Sequence, residues 1–449
     1  MGRGQGGEVP AAGKGGSLVR FRTLDDWLRW QETLHPQSIA LGLERVQAVA
    51  GRMGWPACGC SVLTVGGTNG KGSTVAFLEA ILEEAGYRTG AYTSPHLLRY
   101  NERVRLRRQP VGDDALCEAF ARVDHARDET SLTYFEFGTL GAMDLFRRAG
   151  LDAVVLEVGL GGRLDAVNAF DPDVAVVTTV DLDHMDWLGS DRESIGREKA
   201  GIFRAGRPAV CGDRDPPRSL LEAARQHGVD LRRLGREYGY EAGSGVWDWS
   251  GLHQRLEGLP LPSLPGRFQL QNAATALAAL EAVDRRLPVD RAAVERGLRT
   301  ASVAGRLQIL QGPVERILDV AHNPQGVREL AAFLAERPCG GVTHAVFGML
   351  RDKDLDAALR AAAPVVDRWH VADLPGPRGE RAEAVRAILE SLGVVGGVTL
   401  HPDIETAYRT VLEDVRPPDR IVVFGSFLAV GPALRVESSR ASSETLVHG

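Results

Sequence analysis

Short runs of β-branched and other apolar residues alternate along this chain with longer stretches in which apolar positions recur every three or four residues. The first pattern predicts buried strands and the second amphipathic helices. Their alternation predicts a mostly parallel sheet flanked by helices, an α/β fold. Strands are expected at 62–65, 153–158, 174–180, 316–320, 345–348 and 421–425. Each runs into Gly, Asp or another turn-compatible residue, where open α/β sheets carry their ligands. Helices are expected at 73–85, with Val75, Leu78, Leu82 and Ala85 on one face and Gly86 ending it, and at 272–283. Periodicity fades from about 235 to 265, where Gly, Trp and Pro accumulate, suggesting a β-rich peripheral excursion. Strand and helix patterns restart after Ala301-Ser-Val-Ala-Gly305. The expected organisation is a larger domain over 18–300 and a smaller α/β domain over 301–436, between disordered tails at 1–17 and 437–449.

Composition narrows the classes of partner. The 449 residues are 44% hydrophobic and 25% charged, which fits a folded protein with a sizeable core. Lys and Arg total 53 against 59 Asp and Glu, a net charge of -6, so no nucleic-acid or anionic-membrane surface is expected. No apolar run reaches the 18 or more residues of a membrane span. The glycine-rich start lacks a secretory h-region. The five cysteines are odd in number, and Cys58-Gly59-Cys60 is too closely spaced for a metal or redox motif, so a reduced, cytoplasmic protein is expected.

The strongest local signal is Val62-Leu-Thr-Val-Gly-Gly-Thr-Asn-Gly-Lys-Gly-Ser73, a buried-type strand, a glycine-rich turn and a helix start. Glycines let backbone N–H groups converge on oxyanions, the helix N-terminus adds partial positive charge, and Lys71 supplies a point charge. Ser73 or Thr74 is then available to a magnesium ion. The run departs from G-x-x-x-x-G-K-[ST], because Gly72 separates Lys71 from Ser73 and Val65 replaces the first glycine. The plain alternative is an ordinary glycine turn.

Bound ATP brings Mg²⁺, which takes a few hard ligands and keeps several waters. Glu157 ends the apolar run Ala153-Val-Val-Leu156, where a carboxylate needs a partner: a metal cation, a helix dipole or an arginine. Asp181-Leu-Asp-His184-Met-Asp186 follows the next strand and adds three carboxylates and an imidazole. A dinucleotide reading of Gly159-Leu-Gly161-Gly-Arg-Leu164 fails, because its third glycine position is Leu164.

Gly67-Thr-Asn-Gly-Lys-Gly-Ser73, Tyr92-Thr-Ser-Pro-His96, Glu157-Val-Gly-Leu-Gly-Gly-Arg163, Asp183-His-Met-Asp-Trp187 and Arg197-Glu-Lys-Ala-Gly-Ile202 together resemble the folylpolyglutamate synthase/dihydrofolate synthase family of the wider Mur-ligase group. Gln271-Asn-Ala-Ala274, Gly305-Arg306 and Leu318-Asp-Val-Ala-His-Asn-Pro324 extend the resemblance over the whole chain except its tails. The resemblance implies a P-loop domain followed by a Rossmann-like domain. It also implies ATP-driven amide formation through an acyl phosphate, with L-glutamate as the amine.

Residue by residue, it implies Gly70, Lys71, Gly72 and Ser73 on the phosphates, with Asn272, Arg306 and Asp319 completing an ATP site across the interdomain cleft. Two Mg²⁺ ions are implied on Ser94, Glu157 and His184, although Thr-Ser-Pro by itself reads as a turn. Lys199 matches a carbamylated lysine, where spacing alone suggests a solvated helix residue; carbamylation needs an amine of lowered pKa. His322 falls near this site without an assigned role.

Further stretches, 34–46 and 132–137, resemble bifunctional bacterial members, which add glutamate to dihydropteroate and then to reduced folates. The implied pterin positions are Ala40, Leu41, Gly42 and Leu43, then Thr133, Tyr134, Phe135 and Glu136, then Leu164, Asp165 and Ala166. Tyr134 and Phe135 either contact the pterin or pack in the core. Ala304 and Val320 stand where many members have Pro and Gly, which touches local backbone but no implied ligand. A monomer is expected. Of three alternatives, an enzyme that only extends folates, a cell-wall ligase and a nucleotide-regulated binding protein, the first and third remain. The second needs a uridine-nucleotide domain before the loop, where only about 60 residues stand.

Overall fold

Apolar runs as continuous as Ala153-Val-Val-Leu156 can be satisfied only when buried on both faces, and they pair side by side in parallel. The computed structural model describes residues 20–37, 39–55, 59–394 and 396–447. The tail expected at 1–17 lies outside the described residues, as does Cys58. The first sheet has eight strands: β1 (Ser61–Gly66), β2 (Thr89–Tyr92), β3 (Val104–Leu106), β4 (Gln109–Pro110), β5 (Ala153–Glu157), β6 (Val174–Val177), β7 (Pro208–Cys211) and β8 (Asp230–Arg233). Their order is β4-β3-β2-β5-β1-β6-β7-β8, parallel from β2 to β8, with β3 and β4 added antiparallel at one edge. The α/β class expected from the sequence is what the chain adopts.

β6 stops at Val177, three residues short of the expected end. The Thr178 hydroxyl donates to Asn69 O at 2.6 Å and Val180 N to the Asp213 carboxylate at 2.8 Å, so the polar groups of 178–180 are spent on loops. Helix Lys71–Glu84 is buried from Ser73 to Leu82 on all sides, because it lies between the sheet and helices Phe268–Ala282 and Arg291–Thr300. The single apolar face expected for it is thus replaced by burial all round.

The stretch read as a peripheral excursion forms an antiparallel sheet of β9 (Gly239–Ala242), β10 (Val246–Ser250) and β11 (Arg255–Pro260). It is less peripheral than expected, since Trp247 and Trp249 are buried in the main core and Trp249 Nε1 donates to Ala274 O.

A six-stranded sheet follows: β12 (Gln308–Leu310), β13 (Glu315–Leu318), β14 (Thr343–Phe347), β15 (Arg368–Ala372), β16 (Val398–His401) and β17 (Arg420–Phe424), in the order β12-β13-β17-β14-β15-β16. Only β12 runs antiparallel. Two features correct the sequence reading. The chain does not lose structure at 437 but continues as helix Phe427–Val447, because the Glu437 carboxylate accepts from Tyr408 at 2.6 Å and pairs with Arg316 at 2.9 Å. Cys60 is disulfide-bonded, whereas Cys117, Cys211 and Cys339 are free. Among the described residues, no helix is long and apolar enough to cross a membrane.

Candidate active site

The carboxyl ends of β1, β2, β5 and β6 meet those of β13, β14 and β17 across a cleft. At the end of β1 the loop turns through Gly67 and Gly70, both at positive φ. A Cβ on Gly67 would strike the Thr178 hydroxyl, and one on Gly70 the Asn272 carbonyl oxygen, so neither position admits a side chain. Lys71 folds back over the loop, its Nζ donating to Gly67 O and Thr68 O at 3.1 and 3.2 Å. Burial lowers its pKa, against the pull of Glu157 and Asp183.

A cavity of about 240 Å³ in front of this loop is lined by Gly70, Lys71, Ser94, Glu157, His184, Lys199, Arg306 and His322. Gly72 borders a neighbouring cavity, with the Arg306 guanidinium beside it. Ser73, Asn272 and Asp319 do not line the cavity. Gln269 bridges Ser73 and Asn272 through hydrogen bonds of 3.2 and 3.0 Å. Asp319 accepts from Leu307 N and Ala321 N, both at 2.7 Å, and so holds the turn that presents Arg306 and His322.

Glu157 is 3% exposed, forms no ion pair among the described residues, and accepts from Ser94 N at 3.2 Å. Burial pushes its carboxyl up, with Lys71 and Arg306 pulling it back. His184 sits at φ +52°, and burial holds its imidazole at about 4, so it is neutral and able to ligate at pH 7. A buried carboxylate without a cation, a hydroxyl and a neutral imidazole facing one cavity suit an ion whose other ligands are phosphate oxygens and water.

The wider acidic cluster expected around His184 does not form. Asp181 pairs with Arg328, Asp186 faces a different cavity, and Asp183 is taken by Lys353. No three His, Cys, Asp or Glu side chains converge as a metal site among the described residues. Burial alone would raise Asp183, but the His322 hydrogen bond and the Lys353 charge hold it well below the usual carboxylate range.

Lys199 is 4% exposed and its amine has no hydrogen-bond or ion-pair partner among the described residues. Burial, and then the Lys71 charge, bring it down to about 7.

A second cavity, of about 610 Å³, shares Ser94, Pro95, Gly159, Leu160, His184 and Arg378 with the first. Of the positions that the resemblance assigned to a pterin, Ala40, Leu41, Gly42, Thr133, Phe135, Glu136, Leu164, Asp165 and Ala166 line it. Leu43 and Tyr134 do not. Leu43 precedes helix Glu44–Arg52, and Tyr134 packs edge-on against Tyr100. The Phe135 ring comes so close that a Cβ on Gly159 would sit 2.7 Å from it. Glu136 is tied down, accepting from Thr133 N at 2.7 Å and pairing with Arg45 at 2.9 Å, while Arg45 also donates to Ala40 O at 2.7 Å. Asp165 accepts from Leu160 N and Val167 N, and burial raises it to about 6.

The motifs did not point to Lys353, Arg378, Ser426 or Phe427. These residues follow β14, β15 and β17 and reach the cleft from the second sheet. The signal that could have found them is the rule already applied to the first sheet, that ligands sit at carboxyl ends of strands.

The Mur ligase middle domain matches residues 65–280, and the Mur ligase, glutamate ligase domain matches residues 305–427. A relative from Escherichia coli (strain K12), named dihydrofolate synthase/folylpolyglutamate synthase, is 46% identical over 419 residues, covering 93% of this chain and 96% of its own. The chain belongs to the dihydrofolate synthase/folylpolyglutamate synthase family. Its members' solved structures superpose closely. E. coli FolC in complex with DHPP and ADP gives a TM-score of 0.88 at 46% identity, over 94% of this chain and 99% of its own. A bifunctional folylpolyglutamate synthase/dihydrofolate synthase with Mn, AMPPNP and L-glutamate bound gives 0.85 at 45%, over 93% and 98%. Membership makes this chain an ATP-dependent acid–amino-acid ligase.

Proposed function

We propose that this enzyme joins L-glutamate to dihydropteroate, and then to folate and its growing glutamate tail, with ATP converted to ADP and phosphate. The observation that carries the reading is that the phosphate-loop cavity and the 610 Å³ cavity walled by Phe135 share a wall of Ser94, Pro95, Gly159, Leu160, His184 and Arg378. An aromatic acid seated in the larger cavity points its carboxylate at the smaller one, within reach of a terminal phosphoryl group.

A carboxylate is a poor electrophile, so its oxygen first attacks the γ-phosphorus of ATP and ADP departs. The amine of glutamate then attacks the acyl carbon, and phosphate leaves. Gly70, Gly72 and the start of helix Lys71–Glu84 hold the phosphates with their N–H groups, and Lys71 turns from its loop carbonyls toward the outer phosphate. Asn272, Arg306 and Asp319 complete the nucleotide site, the last by positioning. Ser94, Glu157 and His184 hold magnesium, taken as two ions, which when bound neutralises phosphate charge and orients the γ-phosphoryl group. Lys199 is read as a carbamate, since its amine has the lowered pKa that reaction with CO₂ needs. Arg378 and Ser426 border the space left for glutamate, Arg378 reaching its carboxylates by exchange from the partly exposed Asp352, while Lys353 stays with Asp183 and His322 borders the same wall.

The same reading includes a monomer, because both cavities are lined from one chain, two domains dividing near residue 300, and a cytoplasmic address. The test incubates purified protein with MgATP, glutamate and either dihydropteroate or a reduced folate, and measures ligated product and phosphate. Product in both mixtures is expected. Product with folate alone would remove the first activity, and glutamate-independent phosphate release without product would favour a nucleotide-regulated binding protein.

A further inference from the structure

The phosphate loop fixes the reaction centre, yet the acceptor of the proposed reaction lengthens at every turnover. Dihydropteroate presents its carboxylate on the aromatic ring itself. Each γ-linked glutamate then adds more than the roughly 3.5 Å of an ordinary peptide residue. The pterin cannot remain in its cavity with the tail's tip at Lys71 unless the residues between fold aside.

A further cavity, of about 690 Å³, shares Phe427 with the phosphate cavity and Arg351 with the aromatic one. It lies at the carboxyl ends of β15 and β16, against the start of helix Phe427–Val447. Arg351, Arg381, Arg409 and Arg435 line it against Asp373, Asp403 and Glu405. All three carboxylates are engaged. Asp373 pairs with Arg381 and accepts from Ala382 N, Glu405 pairs with Arg409, and Asp403 caps its helix through Thr406 N. Arg351 and Arg435 have no acidic partner among the described residues, and Leu97, Leu374 and Leu428 give the groove an apolar floor. Arg351 spends one N–H on Gly379 O at 3.0 Å and keeps its charge unpaired, and guanidiniums without a carboxylate beside apolar surface suit a chain that alternates α-carboxylates with methylene pairs.

We propose that this groove holds the γ-glutamyl tail of extended folates, with Arg351 and Arg435 taking its α-carboxylates. The inference rests on the proposed folate-extending activity.

The test compares Arg435→Glu and Arg435→Lys with the unaltered enzyme on dihydropteroate and on reduced folates bearing one and three glutamates, with circular dichroism to check folding. Arg435→Glu is expected to raise KM about tenfold for the triglutamate and less for the monoglutamate, leave dihydropteroate within twofold, and be largely rescued by lysine. Unchanged triglutamate kinetics, or an equal loss on dihydropteroate, would overturn the groove. Unaltered enzyme that glutamylates dihydropteroate but no folate would instead remove the activity on which it rests.

Discussion

Lys199 offers the sharpest test of the site's chemistry. Its amine falls from 10.5 to about 7, so the neutral fraction at pH 7 rises from a few parts in ten thousand to about half, roughly a thousandfold gain. That shift corresponds to about 5 kcal/mol of resistance to burying an ammonium beside Lys71. Reaction of the neutral amine with CO₂ turns the buried group into an anion facing Lys71, which reverses the sign of that interaction. Without CO₂ the sign of the linkage follows from the depressed pKa. The unfolded chain binds the extra proton between pH 7 and 10.5, so stability falls as pH is lowered through that window. Enzyme stripped of CO₂ should therefore melt lower at pH 7.5 than enzyme in bicarbonate, and should turn over more slowly. The assay is ¹³C NMR of native protein in ¹³C-bicarbonate, because carbamates decompose under the acid of denaturing mass spectrometry. A carbamate resonance is expected, absent in Lys199→Ala, with turnover in that variant down by about a hundredfold or more, as for loss of one preorganised electrostatic group. An active enzyme without the resonance, or Lys199→Ala with full turnover, would refute the reasoning.

Three further outcomes follow from the geometry. Gly70→Ala forces a positive φ on alanine and a collision with Asn272, so ADP affinity by calorimetry should fall at least about tenfold with the fold intact; an unchanged Kd would contradict the loop's role. Arg45→Ala leaves the buried Glu136 unpaired at the wall of the aromatic cavity, which costs about 2 kcal/mol after allowing for the partial exposure of Arg45. KM for dihydropteroate should rise with KM for ATP unmoved, and parallel changes in both would argue against a pterin wall there. His344, His370 and His401 are buried on adjacent strands in a chain of ring-nitrogen contacts of 3.3 and 3.2 Å, and burial brings His370 down to about 4. The unfolded chain takes up the proton first, so stability should fall by about 3 kcal/mol as pH drops from 6.5 to 4. Urea melts across that range should show a smaller loss in His370→Gln.

The strand ends and the phosphate loop were legible because they depend on local rules: apolar runs, glycine where backbone must turn, and charge where a helix begins. The terminal helix was not. Its serine-rich end reads as a tail, and only the distant Tyr408 and Arg316 anchor it through Glu437. The acidic run around His184 misled for a related reason, since adjacency in sequence put Asp181, Asp183 and Asp186 together while folding sent them to Arg328, Lys353 and a different cavity.

The sequence by itself determined the α/β class, the phosphate loop and the family, because each is written in short segments whose spacing suffices. Only the tertiary structure decided which residues share a cavity. Asp319 became a support rather than a lining group, Tyr134 went to the core while Phe135 faced the cavity, and Lys353, Arg378 and Ser426 arrived from the second sheet. Those outcomes depend on how two sheets dock, and docking is set by contacts between residues far apart along the chain.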